Sequence, residues 1–394
     1  MFEALFPAEG SPPPSWLQTM MSLVSVGSIL LPYGVARLSA GGIVLGLFFY
    51  LQFWTADNTV GAYAAGTGCA SVLLRWIDLL AVHRPETDFW PVKKVENDTS
   101  HVPVEERVPS RIWAKLKWFS SLWIASRGIG WNIQVNQLPP AVPSDYPKAL
   151  WLRQVTIRTF FMYVGYDMTS NILLYFTRLG PFFTQPLVWQ VFYAWVKAFR
   201  AYYSFELSYF ALAIASVAIG LSQPYQWPPI TGSFRRDAYT VRRMWGRCWH
   251  QCMRRSCSEA GRIVKNTLGL PDGSFRSKYS QIWIGFLVSA LSHHAGATVG
   301  CFEDGGYWQF VYFMIQPAGI MLEDLAIHVG KIYGLKWSNW MNRLGVLWTI
   351  LWFSWTLRFM VAYQPSIWVT SYSIPSAFRY AEQRFRSYLG LEVL

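Results

Sequence analysis

The chain predicts an all-α integral membrane helical bundle, and three observations carry that class. Only 14% of its 394 residues are charged and 53% are hydrophobic, whereas soluble domains carry about 25% charged residues. Aromatic residues reach 18%, with 22 tryptophans, and Trp and Tyr favour the membrane interface, where an apolar ring and a polar tip are both satisfied. The apolar residues also come in runs long enough to cross a bilayer.

Those runs cover about 17–36, 41–56, 59–82, 154–177, 203–222, 280–300, 307–329 and 344–364. The run at 41–56 is short. Segment 183–199 is apolar and aromatic and reads either as a further span or as an interfacial helix, so about eight or nine transmembrane helices are expected. Two long polar segments interrupt them. The first, 83–150, opens with the charged, proline-containing run His83–Arg107, which reads as a surface loop. From Arg111 it becomes basic and Trp-rich, as an amphipathic interfacial helix followed by a turn would be. The second, 224–280, holds eleven Lys and Arg against three acids, Asp237, Glu259 and Asp272.

The organisation expected is one domain over 1–394. Residues 1–82 supply the N-terminal spans, 83–150 the first loop, and 151–394 the remaining spans with the basic loop 224–280. The positive-inside bias places the N-terminus on the lumenal or outer face and both basic loops in the cytosol, provided 183–199 does not cross. Arg37 marks the end of the first span and Asp57 the end of the second. The sequon Asn97-Asp98-Thr99 then faces the cytosol and stays bare. No basic stretch precedes the first apolar run, so a cleaved signal peptide is not expected.

Five cysteines do not form a secreted disulfide framework. Cys248, His250, Cys252 and Cys257 invite a zinc site, but on a helix His250 falls on the far face from Cys248 and Cys252, and the spacing matches no zinc pattern. No metal is expected.

The most informative feature is the doublet His293-His294, set in an apolar stretch with no charge from 282 to 292. Ionisable groups inside a membrane segment are costly and point to function, and histidine is the side chain suited to proton transfer near neutral pH. Adjacent helical residues point about 100° apart, so the two rings face different surroundings. Ser289 lies one turn before His293, where its hydroxyl could orient or polarise the imidazole. Small residues (Ser289, Ala290, Ser292, Ala295, Gly296 and Ala297) let other helices approach closely or leave room for a substrate. The plainer reading is a pair of histidines bonding across a helix interface.

Three further elements carry possible chemistry. Arg242-Arg243-Met244-Trp245-Gly246-Arg247-Cys248-Trp249-His250 suits a phosphate or nucleotide contact, although cytosolic loops are Arg-rich through topology alone and could equally hold anionic lipid. Ser126-Arg127-Gly128-Ile129-Gly130-Trp131-Asn132 suggests a tight turn with exposed amides. Glu206 and Glu323-Asp324, within or at the end of spans, pair with basic groups, orient a histidine, or mark depth.

In order and spacing, Ser289-x-x-x-His293 in a late apolar helix, preceded by Trp245-Gly246-Arg247-x-Trp249-His250 in a basic loop, resembles the membrane-bound O-acyltransferase superfamily, and most nearly its wax-synthase-like branch. Arg127-Gly128-Ile129-Gly130-Trp131-Asn132 is similar to the fungal members of that branch, many of which acetylate terpenoid or meroterpenoid alcohols. The likeness covers roughly 110–330. It implies His293 as the catalytic histidine and His250 at the second polar catalytic position. His294 falls where plant wax synthases often have an acidic residue. Ser289 and His294 support the site, and Trp245, Arg247, Trp249, Arg243, Arg127 and Asn132 are the expected acyl-CoA contacts.

The chemistry so implied is acyl-CoA-dependent O-acylation. A neutral His293 in a dry cavity takes the proton of an alcohol as it attacks the thioester. His250 or a nearby amide stabilises the oxyanion, and arginines neutralise the phosphates of coenzyme A. Acetyl-CoA is the favoured cosubstrate and a lipophilic terpenoid-type alcohol the favoured acceptor, in an endoplasmic reticulum membrane. No permanently bound cofactor and no nucleic-acid partner is expected. Two alternatives stand beside this reading: a wax ester synthase acting on long-chain alcohols, and a transporter using the histidine pair as a proton relay, for which the paired half-repeats of transporters would be the signature.

Overall fold

The computed structural model describes residues 13–54, 60–94, 101–103, 108–176, 180–300, 302, 304–336, 338–363 and 376–388. Asp57 and the sequon at Asn97 lie outside them. The longer helices are α1 (Trp16–Gly27), α2 (Val35–Gln52), α3 (Val60–Trp76), α4 (Ile112–Ile124), α5 (Lys148–Phe176), α6 (Leu187–Ala218), α7 (Arg254–Thr267), α8 (Phe275–Val299), α9 (Tyr307–Ile332), α10 (Asn339–Val361) and α11 (Ala377–Tyr388). One antiparallel ribbon, β1 (Val92–Lys94) with β2 (His101–Pro103), pairs Val92 with Pro103.

Five helical segments among the described residues are long and apolar enough to cross a membrane: Val35–Gln52, Gly61–Val82, Phe275–Val299, Tyr307–Ile332 and Asn339–Val361. Their outward faces stay apolar. Leu344, Leu347, Ile350 and Leu351, at helical spacing on α10, are each about half exposed, an arrangement that suits hydrocarbon and not water. The chain is thus a helical membrane protein. Its more polar helices α5 and α6 have 29 and 32 residues, about 43 and 48 Å at 1.5 Å per residue.

Two expectations change. Segment 183–199 is not a separate span. From Leu187 onward it is the first half of α6, which runs unbroken into the expected span 203–222 because no Gly or Pro interrupts it. The first break falls earlier than expected, at Leu31–Gly34, where Pro32 cannot continue a helix. Arg37 therefore does not follow a span. It sits in the first turn of α2, buried, with its guanidinium bidentate on Glu86 (2.7 and 3.1 Å) and bonded to the Leu31 carbonyl (2.9 Å). Burial alone would raise the value of Glu86, but the bonds from Arg37 and Lys115 hold it at about 2.

The described chain forms two compact units, each discontinuous in sequence: 1–138 with 250–337, and 139–249 with 338–394. In the first, α8 packs against α3, α7 and α9, and α1 against α2 and α3. Its core includes Leu17, Met21, Val44, Leu79, Phe119 and Leu122. The 111–124 segment is helical as expected, with Trp118, Phe119 and Leu122 turned into this core. In the second unit, α5 and α6 form a long antiparallel pair joined by α10, and α11 lies on α5. Glu206, fully buried on α6, takes Arg158 from α5 at 2.6 Å and the Thr231 hydroxyl at 2.5 Å, so of the roles read for this acid it is the pairing with a basic group that is found.

α3 and α8 touch at the backbone. A Cβ on Gly66 would stand 2.7 Å from the Ala295 carbonyl oxygen, and one on Gly296 would stand 2.5 Å from Thr67 Cγ2 and 2.9 Å from the Tyr63 carbonyl oxygen. Of the two roles read for the small residues around the histidines, close helix approach is the one found at Gly296. Gly285, on the same helix, has room, because its Cβ would meet nothing nearer than 3.5 Å. Gly296→Ala should therefore cost about 1–3 kcal/mol as an overpacked contact and lower the melting temperature of the detergent-solubilised protein, while Gly285→Ala leaves it unchanged.

Candidate functional site

The helix of the doublet starts cleanly. Ser274 caps α8 by accepting the Ser277 amide at 3.1 Å, and the helix then runs to Val299. His293 thus sits on a regular helix at the place where α3 meets it. Tyr63 lies one turn before Gly66, and the backbone contact carries its hydroxyl to 2.5 Å from His293 Nδ1. The same hydroxyl lies 3.1 Å from Gln309 Oε1, on the first turn of α9. One turn further along α9, Phe313 stacks on the imidazole with centroids 4.4 Å apart and planes 17° apart. The Tyr63 ring lies nearly parallel to Phe302, at 5.6 Å and 15°. Three helices therefore converge on one imidazole, which is held by a face contact and an edge hydrogen bond.

His294 turns elsewhere. It is exposed, its ring is 6.4 Å from Phe310, and a Cβ on Gly306 would touch its Nδ1 at 3.2 Å. The Ser289 hydroxyl is engaged with the Gly285 carbonyl at 3.3 Å and Cys257 Sγ at 3.5 Å. The group bonded to His293 Nδ1 is Tyr63.

His250 precedes α7 and lies within electrostatic range of His293. Burial of its ring pushes it down to about 4, so it is neutral at pH 7. The next residue, Gln251, is buried and donates to the Gln137 carbonyl at 3.4 Å. Cys252, raised by burial, bonds Ser126 and feels the charge of Arg127. The turn 126–137 and the segment after His250 are thus held together.

In that turn Gly128 has φ +64°, and a Cβ there would collide with the Ile133 carbonyl at 2.4 Å, so the tight turn read from the two glycines is present and requires glycine at 128. Arg127 is buried at 4% exposure. The Asn132 side chain donates to the Asp88 carbonyl at 2.9 Å and accepts the Trp90 amide at 3.2 Å. Both residues are built into the turn and are not presented as surface contacts.

The other expected acyl-CoA residues belong to the second unit. Arg243 grips the Asp237 carboxylate, bonds its carbonyl and lies over the Tyr239 ring. Arg236 also bonds Asp237, and Arg247 Nη1 is 3.5 Å away. Burial would raise Asp237, but the bonds from Arg236 and Arg243 prevail and hold it below the usual carboxylate range. Trp245 packs near Phe353 and Trp249 edge-on to Phe205, both at 6.0 Å.

The acids and cysteines fall into structural roles. Asp78, His83 and Glu259 cluster closely, but Arg255 is bidentate on Asp78 at 2.6 and 2.8 Å and Arg262 holds Glu259. Guanidinium groups already neutralise both carboxylates, so this donor set reads as an ion-pair network. The hydrogen bond that His83 donates to Asp78 holds its imidazole above the ordinary value. Asp324 receives Lys278 and Tyr279, each at 2.7 Å. Cys248 bonds the Ser233 carbonyl, and burial raises it to about 12, which disfavours the thiolate that a metal would need.

Sequence reasoning missed Tyr63, Gln309 and Phe313. Gln309 left a signal: it is an amide inside an apolar run, as is Gln316, and both are buried. Tyr63, one of 21 tyrosines, left none.

Residues 227–315 match the family model described as "Membrane bound O-acyl transferase family". The chain is similar to acetyltransferase sirH of Emericella nidulans, 26% identical over 359 residues covering 86% of this chain and 82% of the relative. It is 31% identical to acetyltransferase ple2 of Rhodocybe pseudopiperita over 324 residues, 79% of this chain and 80% of the relative. It is also similar to O-Mevalon transferase macI of Penicillium terrestre, at 26% over 322 residues, 75% of this chain and 71% of the relative. The matched region spans the basic loop, His250, His293 and Gln309, and with relatives of this identity and coverage the chain belongs to the membrane-bound O-acyl transferase family and is an O-acyltransferase that takes an acyl donor.

Proposed function

We propose that the enzyme transfers an acetyl group from acetyl-CoA to the hydroxyl of a lipophilic, terpenoid-type alcohol, with His293 as general base. The observation that carries this reading is the His293 imidazole itself, set in the C-terminal third of an apolar helix, clamped by Phe313 and bonded at Nδ1 to Tyr63. A ring tied at Nδ1 and stacked on one face has Nε2 left for a substrate. The acceptor's O–H proton passes to the imidazole as its oxygen attacks the thioester carbonyl. The tetrahedral intermediate then expels the coenzyme A sulfur, which takes the proton back from the imidazolium. His250, neutral and close by, is the second polar group in this reading and steadies the carbonyl oxygen as charge develops on it. The relatives named acetyltransferase support the acetyl donor.

Among the arginines, Arg247 suits a phosphate of coenzyme A, since its side chain is 38% exposed. Arg243 is engaged with Asp237, and Arg127 is buried in its turn. The topology proposed places the N-terminus in the lumen of the endoplasmic reticulum and the basic loops in the cytosol, where acyl-CoA is found. In this reading the continuous helix α6 over 187–218 crosses once, as the assignment requires.

Purified protein incubated with labelled acetyl-CoA and a panel of terpenoid and fatty alcohols should yield labelled ester from the terpenoid arm. Product from only the long-chain alcohols with long acyl donors would replace this reading with wax ester synthesis. His293→Ala should lower turnover by about 100- to 10,000-fold, and full ester formation by that variant overturns the assignment. The depressed value of His250 also has a stability consequence. Between pH 6.5 and about 4 the unfolded chain binds a proton at this site that the folded protein resists, so folding stability is intact above 6.5 and declines as pH falls through that window. Thermal melts across it should show a shallower decline for His250→Asn than for the wild type.

A further inference from the structure

Resting on the acyl-transfer reading above, we infer that Tyr63 is the positioning residue for His293, and that Gln309 sets the direction of the Tyr63 hydroxyl so that His293 carries its hydrogen on Nδ1 and presents a bare Nε2 to the acceptor alcohol.

The inference follows from counting hydrogens at one oxygen. Tyr63 Oη lies 2.5 Å from His293 Nδ1 and 3.1 Å from Gln309 Oε1. A phenol has one hydrogen to give. Given to the Gln309 carbonyl, it leaves the Tyr63 oxygen as an acceptor facing Nδ1, and Nδ1 must then hold the ring hydrogen. The neutral imidazole has one N–H, so Nε2 is its basic nitrogen. The relay runs His293 Nδ1–H to Tyr63 oxygen, and Tyr63 O–H to Gln309 oxygen. Donation to the Gln309 carbonyl makes the Tyr63 oxygen a better acceptor, because successive hydrogen bonds polarise one another.

The relay does for this imidazole what the buried carboxylate does in the serine protease triad, where it selects the tautomer and steadies the imidazolium. A tyrosine and an amide do so without a net charge, and a carboxylate at that depth would be costly. The surroundings hold the geometry. Tyr63 is stacked on Phe302 and His293 on Phe313, Gln309 is 1% exposed, and the α3–α8 contact at Gly66 and Gly296 fixes the approach of Tyr63. As the imidazole takes the alcohol's proton at Nε2, the Nδ1–H bond becomes charge-assisted and strengthens, so Tyr63 acts in the transition state more than in substrate binding.

The test is a double-mutant cycle on the full-length enzyme with acetyl-CoA and an accepted alcohol. Tyr63→Phe keeps the ring stack and removes only the hydroxyl, and Gln309→Met keeps the length and removes the carbonyl. Tyr63→Phe should lower kcat about 10- to 100-fold, the weight of a hydrogen bond to a charged group, with KM for both substrates within about twofold of wild type. Gln309→Met should lower kcat less, and should have no further effect in the Tyr63→Phe background, because it acts through that hydroxyl. A loss that appears in KM, or independent effects that multiply in the double variant, overturns the relay. Should Tyr63→Phe not survive purification as a monodisperse protein, Gln309→Met decides alone: reduced kcat at unchanged KM supports the relay and wild-type kcat overturns it. His293→Ala separates the two levels of the argument. If it is inactive while Tyr63→Phe and Gln309→Met turn over like wild type, His293 keeps its role and the relay falls. If it is active, the acyl-transfer reading of His293 falls first.

Discussion

The site depends on a contact with no side chain in it. Gly66 of α3 and Gly296 of α8 face each other so closely that a Cβ on either would meet backbone or side-chain atoms below 3 Å. In hydrocarbon there is no hydrophobic drive between helices, so close van der Waals packing must supply the association, and small residues permit it. The consequence is chemical as well as structural. Tyr63 is three residues from Gly66 and His293 three residues from Gly296, so the contact that joins the helices also joins the phenol to the imidazole. α9 then closes the arrangement with Gln309 on the hydroxyl and Phe313 on the ring face.

Charge in the rest of the molecule is organised by pairing. Arg37 with Glu86, Arg158 with Glu206, and Arg255 with Asp78 each bury a carboxylate against a guanidinium at 2.6–2.8 Å, as ions removed from water require. Asp237 draws Arg236, Arg243 and Arg247 together in the basic loop. A loop rich in arginine is thus partly a self-assembled structure, and its count of basic residues overstates the charge it can offer a phosphate.

The two histidines of the doublet show how helix geometry separates like residues. His293 faces α3 and α9 and is enclosed by aromatic rings, whereas His294, a rotation of about 100° further round the helix, is exposed beside Phe310. One ring is held between the Tyr63 hydroxyl and the Phe313 face, and the other borders the Gly305–Gly306 turn. His250 reaches the same surroundings from the loop, kept neutral by burial.

The sequence alone determined the helical membrane class and singled out His293, while the order and spacing of its motifs carried the family resemblance, which alone nominated His250. The class follows from composition and apolar runs, and His293 from the cost of an ionisable group inside such a run. The sequence also carried the Gly128 turn, since two glycines mark a place where positive φ is easy, and it offered pairing with a basic group as one of the roles of Glu206. The end of the first helix and the continuity of α6 were misjudged because hydropathy is blind to where the backbone breaks, which Pro32 decides at one place and no residue decides at the other. Only the tertiary structure decided the partner of the imidazole. Ser289 was the neighbour that helical periodicity offered, whereas Tyr63 is 230 residues away and is brought there by glycines whose role is to have no side chain. Sequence spacing records contacts along one helix; contacts between helices depend on which faces meet, and that is settled by packing.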